Sequence, residues 1–254
     1  MDESTGDLPT RADSTAAAVP AARPARDARE EEHGPELDSS SWRPAALVID
    51  MHRGHLDKQV ATMPVEDPDP LVERTAMFLD GLRGRGVPVI FSVLESRLIP
   101  GLGRDALNNP YRRATLTART GLPRGWDLAN HNLEGSPQSE IMESLGPRSD
   151  DYVIRTKRRF GSFYGTDLEV LLRSLQVDTV LLLGVNTNTC VTCAAFEAYN
   201  RDLQVVLVED CAASGYDARL HDFAVENIRR CLGWVRTSTE LLVELQLHPI
   251  AARR

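Results

Sequence analysis

Short apolar runs alternate with segments of helical periodicity from residue 44 to residue 245. The apolar runs are typical of buried strands and cover residues 44–50, 87–94, 152–155, 178–184, 204–209 and 234–237. Apolar residues at helical spacing predict helices over residues 68–83, 139–145, 166–175, 190–201, 217–231 and 239–245. This alternation predicts an α/β, three-layer, Rossmann-like fold whose central, mainly parallel sheet is flanked by helices on both faces.

Two segments depart from this alternation. Residues 1–41 contain almost no large apolar side chains. Burial therefore cannot offset the entropy of ordering them, and they are predicted to form a disordered N-terminal tail. Residues 42–254 are predicted to form one domain. Within it, residues 95–136 are rich in glycine and proline, and such a long irregular stretch is often a lid or a binding loop.

The charge of the chain is concentrated in the predicted tail. The formal net charge is −8, of which residues 1–41 carry −6. The predicted domain is therefore nearly neutral, so neither its charge nor its composition indicates a nucleic-acid partner. No apolar run approaches the roughly 20 residues that span a membrane, and the chain start lacks the pattern of a signal peptide. The four cysteines are expected to be reduced thiols in a cytoplasmic protein.

Cys190 is the first candidate for chemistry. It follows the most apolar strand across the turn at residues 184–189 and precedes a predicted helix. A thiol at a helix N-terminus is expected to have a lowered pKa, and the unpaired backbone N–H groups there can bind an oxyanion. The alternative is that Cys190 is a small buried residue without chemistry, which is common for free cysteine.

Two further candidates follow other strands. Asp50 ends the first strand, and a carboxylate beside a thiol can accept its proton and deliver it to a leaving amine. Lys157 follows the strand at residues 152–155 and is one of only two lysines among 29 basic residues. The alternatives are a strand-end or N-cap aspartate and a solvated basic run. In open parallel sheets, however, ligands bind at the carboxyl ends of strands, where all three candidates are predicted to lie.

The combination of these three residues resembles the isochorismatase-like cysteine hydrolases. The similar segments are residues 48–51 (VIDM), 157–168 (KRRFGSFYGTDL) and 184–191 (GVNTNTCV), and the resemblance covers about residues 42–245. This superfamily includes nicotinamidases, streptothricin hydrolases and amidohydrolases of N-carbamoylsarcosine, biuret and ureidoacrylate. The resemblance implies that residues 42–254 form a hydrolase domain of this kind, acting on a small-molecule amide as a homodimer or homotetramer.

The resemblance also implies a role for each matching residue. Asp50 is the expected general base and acid, Lys157 orients Asp50 and holds the thiolate, and Cys190 forms a thioester. Relatives usually have a cis peptide that maps to Val185–Asn186. That bond is expected to direct the backbone N–H of Asn186, together with that of Cys190, toward the developing oxyanion.

The chain departs from its relatives after the first strand. Many relatives have Gln-Asn-Asp-Phe after the first strand, where this chain has residues 51–56 (MHRGHL). His52 is a candidate substrate-binding residue, His55 is a second histidine that could line the pocket, and the alternative for both is a satisfied loop histidine. Nicotinamidases carry an Asp-Trp-His metal motif after the second strand, whereas residues 93–97 (VLESR) contain no histidine. We therefore predict no metal and no cofactor.

Three more residues are candidate substrate contacts. His131 lies in the long loop, where the alternative is a turn or cap before the predicted helix at 139–145. Phe160 and Tyr164 follow Lys157 closely, and the alternative for aromatic residues is ordinary packing.

The sequence predicts a cysteine-dependent hydrolase that cleaves a carbon–nitrogen bond through a thioester intermediate. The amide is either linear, as in carbamoyl and ureido compounds, or cyclic, as in a lactam. One alternative is hydrolysis of a vinyl ether, as in true isochorismatases. A second is a redox protein, because residues 190–193 (CVTC) form a Cys-x-x-Cys motif. A third is a binding protein that kept the fold without catalysis.

Overall fold

The computed structural model describes residues 37, 39, 41–105, 109–118, 123 and 125–247, except the side chains of residues 116–118 and 247. Most of the predicted tail, residues 1–36, 38 and 40, lies outside the described residues. Within the described part of the chain, no helix is both long and apolar enough to cross a membrane.

A single sheet of six parallel strands organises the fold. Its strands are β1 (Pro44–Ile49), β2 (Val89–Ser92), β5 (Tyr152–Ile154), β6 (Thr179–Val185), β7 (Gln204–Ala213) and β8 (Trp234–Arg236). Their spatial order is β5-β2-β1-β6-β7-β8, and every neighbouring pair is parallel. The chain reverses its direction of travel across the sheet between β5 and β6. The ends of the central strands β1 and β6 therefore form the crevice where ligands bind in such sheets.

Helices cover both faces of this sheet. They are α1 (Arg53–Leu56), α2 (Pro68–Arg83), α3 (Pro110–Ala118), α4 (Leu168–Ser174), α5 (Thr192–Tyr199), α6 (Ala218–Cys231) and α7 (Ser238–Leu247). Successive residues of β1 point to opposite faces, so Val48 packs with Leu79 of α2, whereas Leu47 packs with Leu172 of α4. The three-layer α/β fold predicted from the sequence is confirmed.

The predicted helix at residues 139–145 is wrong. The chain instead forms two short 3₁₀ turns, Pro137–Ser139 and Glu143–Leu145. Between them, the carbonyl of Glu140 accepts a hydrogen bond from the Arg53 N–H (2.8 Å), and the Met142 N–H donates to the carbonyl of Met51. These bonds to the segment after β1 hold residues 140–142 in an extended conformation, so a continuous helix is excluded.

Residues 95–136 are more regular than predicted. They contain α3 and a two-stranded antiparallel hairpin formed by β3 (Leu98–Ile99) and β4 (Gly103–Arg104). The helix predicted from residue 190 also begins later, because a π-helical turn, Thr187–Val191, precedes α5. Cys190 therefore lies in this turn rather than at the start of the α-helix.

Gly184 occupies a position that only glycine fits. Its φ is 120°, and a Cβ atom there would lie 2.0 Å from the carbonyl oxygen of Ile49 on the adjacent strand. We expect Gly184→Ala to lower the free energy of unfolding by about 3 kcal/mol or more, because β1 and β6 must separate. Urea denaturation measures this loss.

Gly165→Ala is the matched control for this variant. Gly165 also has a positive φ (70°), but a Cβ atom there would meet no heavy atom within 4 Å among the described residues. Its substitution should cost only the backbone penalty of about 1–2 kcal/mol. Equal losses in the two variants would show that the contact with β1 has no effect.

Candidate active site

Asp50 lies at the carboxyl end of β1 with its backbone fixed in an unusual conformation. Its φ is 52°, in the left-handed region that non-glycine residues seldom adopt. Its N–H donates to the carbonyl of Ser92 (2.9 Å), and its Oδ1 accepts a hydrogen bond from the Leu94 N–H (2.7 Å). The side chain is almost completely buried. The end of β2 therefore holds one carboxylate oxygen and leaves the other for a different partner.

That partner is Lys157, which follows β5 and is completely buried. Its Nζ donates a hydrogen bond to Oδ2 of Asp50. Burial lowers the pKa of Lys157, but the attraction of Asp50 and the contact with Cys190 outweigh burial and raise it overall. The lysine is therefore held as an ammonium ion beside the carboxylate.

Cys190 completes the cluster from the π-helical turn after β6. Its side chain is buried and lies close enough to Asp50 and Lys157 for the charges of both to act on its thiol. Burial, together with the charge of Asp50, raises the pKa of the Cys190 thiol to about 12, against the smaller lowering effect of Lys157. The lowered pKa expected from the sequence is therefore wrong. The thiol rests protonated, and a base must remove its proton before it can attack.

The structure thus brings Asp50, Lys157 and Cys190 into contact, although they are far apart in sequence. They come from the ends of β1, β5 and β6. The arrangement contains a latent nucleophile, a carboxylate that can accept its proton and a fixed positive charge. These groups suit nucleophilic catalysis with proton transfer.

The turn before Cys190 has the predicted backbone feature. The peptide bond between Val185 and Asn186 is cis. The Asn186 side chain accepts a hydrogen bond from the Gly215 N–H through Oδ1 (2.7 Å) and so ties this turn to the segment after β7. Both Asn186 and Cys190 line the cavity that contains Asp50. An oxyanion hole formed by their N–H groups stays a prediction.

A second and larger cavity, of about 400 Å³, adjoins the catalytic cluster. The two cavities share Leu94, Arg112, His131 and Phe160. The larger one is lined by four arginines, Arg104, Arg112, Arg158 and Arg159, and by one acidic residue, Glu197. Arg158 is paired with Asp105 (3.6 Å), and Arg104 donates to the carbonyls of Leu128 and His131. Basic residues therefore outnumber acidic ones in the lining of this cavity. Nothing in the local sequence of Arg112 separates it from other arginines on helix surfaces, so its place in both cavities could not be predicted.

The four predicted substrate contacts occupy different places. Phe160 and His131 line both cavities. Tyr164 lines only the larger one and is 70% exposed. His52 is completely buried and is absent from the lining of both cavities.

His52 instead belongs to a cluster of three histidines that the sequence did not predict. Nitrogen atoms of His52, His55 and His131 lie within 4.8 Å of one another, and all three side chains are buried. The prediction of no metal rests on the lack of a histidine in residues 93–97, which do not belong to this cluster. The pairing of His52 with His55 is visible in the sequence, but the approach of His131 depends on the fold of the long connection.

The second cysteine of the Cys-x-x-Cys motif lies in a different environment. Cys193 is partly exposed and lines the larger cavity, whereas Cys190 is buried, and both are free thiols. Burial and the charge of Glu197 raise the pKa of Cys193. Neither thiol has the lowered pKa that is typical of the nucleophile in redox Cys-x-x-Cys motifs.

Comparison with known proteins relates this site to a family. A family model described as the isochorismatase domain matches residues 44–240. YwoC of Bacillus subtilis, an isochorismatase family protein, is 33% identical over 210 residues, which cover 83% of this chain and 98% of that protein. The ureidoacrylate amidohydrolase RutB of Methylorubrum extorquens is 25% identical over 203 residues, which cover 74% of this chain and 77% of that enzyme.

A solved structure shows the same similarity. The crystal structure of N-carbamoylsarcosine amidase from Thermoplasma acidophilum superposes with a TM-score of 0.59 at 27% sequence identity. The match covers 77% of this chain and 96% of that enzyme.

Proposed function

The chain belongs to the isochorismatase family of hydrolases, and on that premise we propose that it cleaves a carbon–nitrogen bond of a small amide through a thioester on Cys190. The observation that carries this proposal is the buried contact among Cys190, Asp50 and Lys157. A buried ion pair stabilises a fold only weakly, so its position against a thiol is better explained by chemistry.

The first half of the reaction forms the thioester. Asp50 removes the proton from the Cys190 thiol, and the sulfur attacks the carbonyl carbon of the amide. The backbone N–H groups of Asn186 and Cys190 stabilise the negative charge that develops on the carbonyl oxygen. When the carbon–nitrogen bond breaks, Asp50 returns its proton to the leaving nitrogen. Ammonia or an amine departs, and the acyl group stays on sulfur.

The second half releases the acyl group. Asp50 takes a proton from a water molecule, the resulting hydroxide attacks the thioester, and the carbon–sulfur bond breaks. The proton held by Asp50 returns to the sulfur, so the carboxylic or carbamic acid product leaves a regenerated thiol. Lys157 keeps its proton throughout and stabilises the negative charge on Asp50 and on the thiolate.

The similar enzymes favour a linear substrate. Ureidoacrylate and N-carbamoylsarcosine, the compounds for which the two relatives are named, both contain a linear carbamoyl–nitrogen group. We therefore propose a linear carbamoyl or ureido amide as the first candidate and a cyclic amide, such as a lactam, as the second. A panel of both classes separates them, because linear carbamoyl compounds release ammonia or an amine, whereas a lactam only opens its ring.

The same panel tests the proposed function itself. Turnover of at least one amide, with an acyl adduct on Cys190 in acid-quenched samples analysed by mass spectrometry, supports the proposal. If isochorismate-type vinyl ethers are hydrolysed and no amide is, the alternative chemistry is correct. If a dithiol–disulfide exchange assay alone shows activity, the redox alternative is correct.

The larger cavity indicates that the substrate is an anion. Four of its lining side chains are arginines, and Arg112 has no carboxylate partner within ion-pair distance among the residues that the structure describes. The Arg112 guanidinium lies 5.2 Å from the ring centre of Phe160, where it faces both cavities. We therefore propose that Arg112 binds a carboxylate of the substrate while the amide reaches Cys190.

Arg112→Gln tests this substrate contact. We expect the KM for a carboxylate-bearing amide to rise about tenfold or more with kcat little changed, because a charged hydrogen bond is lost from substrate binding. The KM for the matched neutral amide should stay the same. The control is Arg113→Gln on the same helix, since Arg113 does not line either cavity. An equal rise for both substrates would contradict the proposed carboxylate contact.

A further inference from the structure

The histidine cluster has no role in the proposed reaction and requires a separate explanation. The rings of His52 and His55 are stacked with centroids 4.7 Å apart, and the ring of His131 lies 4.7 Å from His55 and 5.6 Å from His52. All three are buried, and His55 and His131 line the cavity that contains Asp50 and Cys190. Each ring offers one nitrogen atom, and these three atoms lie within 4.8 Å of one another.

Burial favours the neutral form of all three rings. Burial is the main cause that lowers the pKa of each, and the neighbouring histidines lower those of His52 and His131 further. A neutral imidazole keeps a lone pair on one nitrogen, and that lone pair is what a metal ion binds.

The other nitrogen of two rings is already oriented by the protein. His55 Nδ1 donates to the carbonyl oxygen of Met63 (2.7 Å), which leaves its Nε2 with the lone pair. His131 Nδ1 lies 2.8 Å from Oγ1 of Thr62. Partners of this kind fix the tautomer and ring orientation of metal-binding histidines.

The contact between His52 and Asn132 leaves two buried polar atoms without a hydrogen-bond partner among the described residues. Its Nε2 lies 2.6 Å from the side-chain amide of Asn132, but its Nδ1 and the Oδ1 of Asn132 are buried without a hydrogen-bond partner among the described residues. Gly54 allows the side chain of Asn132 to come this close to His52, because a Cβ atom at residue 54 would lie 2.4 Å from Oδ1 of Asn132. A buried polar atom without a partner in a native structure often indicates an ion or a water molecule that completes the site.

We propose that His52, His55 and His131 bind one divalent transition-metal ion of the zinc type. Imidazole ligands suit zinc, nickel, copper and iron rather than magnesium or calcium, which prefer oxygen. Of the nearby cations, Lys157 is paired with Asp50 and Arg155 with Glu95, whereas Arg104 and Arg112 lie near His131 and add positive charge that the three imidazoles must outweigh. Three protein ligands leave a coordination position open, and two of the three, His55 and His131, line the cavity that contains Cys190.

A metal titration tests this proposal independently of any hydrolase activity. The full chain, stripped with a chelator, is titrated with Zn²⁺ and, in parallel, with Co²⁺ as a spectroscopic probe. We expect one equivalent of tightly bound Zn²⁺, a rise in Tm of several degrees and visible cobalt bands without a thiolate charge-transfer band. If the native chain binds neither ion, or if a thiolate band appears, the proposal is overturned.

Variants locate the ion. His131→Gln removes a ligand and should weaken Zn²⁺ binding at least about 100-fold, since even the loss of an outer contact costs 10–100-fold. Thr62→Val removes only the contact of Thr62 with Nδ1 of His131. Its affinity for Zn²⁺ should therefore lie between that of the native chain and that of His131→Gln. The matched control is His221→Gln, because His221 contacts Thr187 and lies outside the cluster. Equal affinity in the native chain and His131→Gln would also overturn the proposal.

Discussion

Cys190→Ala is expected to lower kcat/KM for the best amide substrate by at least about 10⁴-fold, because no other thiol is among the described residues that line the cavity of Asp50. Cys190→Ser should be nearly as inactive, since the serine hydroxyl is a much weaker nucleophile in this setting. Steady-state kinetics on the purified variants measure both effects. The acyl adduct seen on the native chain should be absent from both. A Cys190→Ser protein as active as the native chain would disprove the thioester mechanism.

Two other cysteine variants test whether a loss of activity comes from the missing nucleophile or from impaired folding. Cys211 on β7 is also buried, and burial with the charge of Asp210 likewise raises its pKa to about 12. Cys211→Ala therefore removes a thiol of the same character from outside the cavity and should keep kcat/KM. Cys193→Ser should also leave hydrolysis largely intact, whereas complete loss of activity in this variant would favour the redox alternative.

Local patterns predicted the elements whose signals lie within one segment. The helix predicted at residues 68–83 is observed as Pro68–Arg83. Its apolar residues repeat at helical spacing, Pro68 occupies its first position and Gly84 follows its end, so the sequence alone specifies it. The strands were predicted for a similar reason, because a strand buried on both faces is apolar throughout.

Elements that depend on distant partners were not predicted. Residues 139–145 have a helical pattern, but backbone hydrogen bonds to residues 51 and 53 override it. The pKa of Cys190 is a similar case. A position at the start of a helix predicts a lowered pKa. The pKa of Cys190 is raised instead, because the thiol is buried and lies near the charge of Asp50, which is 140 positions away in sequence. A local pattern cannot report the distance between two such residues.

The candidate site likewise contains residues that a local pattern predicted and residues that it did not. Asp50, Lys157 and Cys190 each follow an apolar strand, so the rule for parallel sheets placed them at one edge before the structure did. Arg112 and His131 come from the connection between β4 and β5, whose path has no simple rule. The groups that we propose for substrate and metal binding therefore became visible only in three dimensions.

Asp50→Asn should have two large effects that can be measured separately. The amide cannot accept the thiol proton, so kcat/KM should fall by about 10²–10⁴-fold. It also leaves Lys157 as a buried charge without its partner, so the free energy of unfolding should fall by about 3–5 kcal/mol. Enzyme assays and urea denaturation of the same preparation measure the two losses.

A matched pair elsewhere in the fold distinguishes these effects. Arg83 and Asp151 form another buried ion pair, 2.6 Å between Nη2 and Oδ2, next to the amino end of β5. Asp151→Asn should also lower stability, by less than Asp50→Asn because Arg83 keeps Asp80 as a partner (3.2 Å), but should leave kcat/KM unchanged. Activity lost equally in Asp50→Asn and Asp151→Asn would mean that Asp50 acts only through folding.

The double variant Asp50→Asn/Lys157→Met separates the loss of stability from the loss of activity. It removes both charges and replaces the ammonium with an apolar side chain of similar length, so most of the lost stability should return. Activity should not return, because the base is still absent and burial alone still raises the pKa of the Cys190 thiol. Recovered stability without recovered activity would assign Asp50 and Lys157 to catalysis. Recovered activity would show that the thiol needs neither residue.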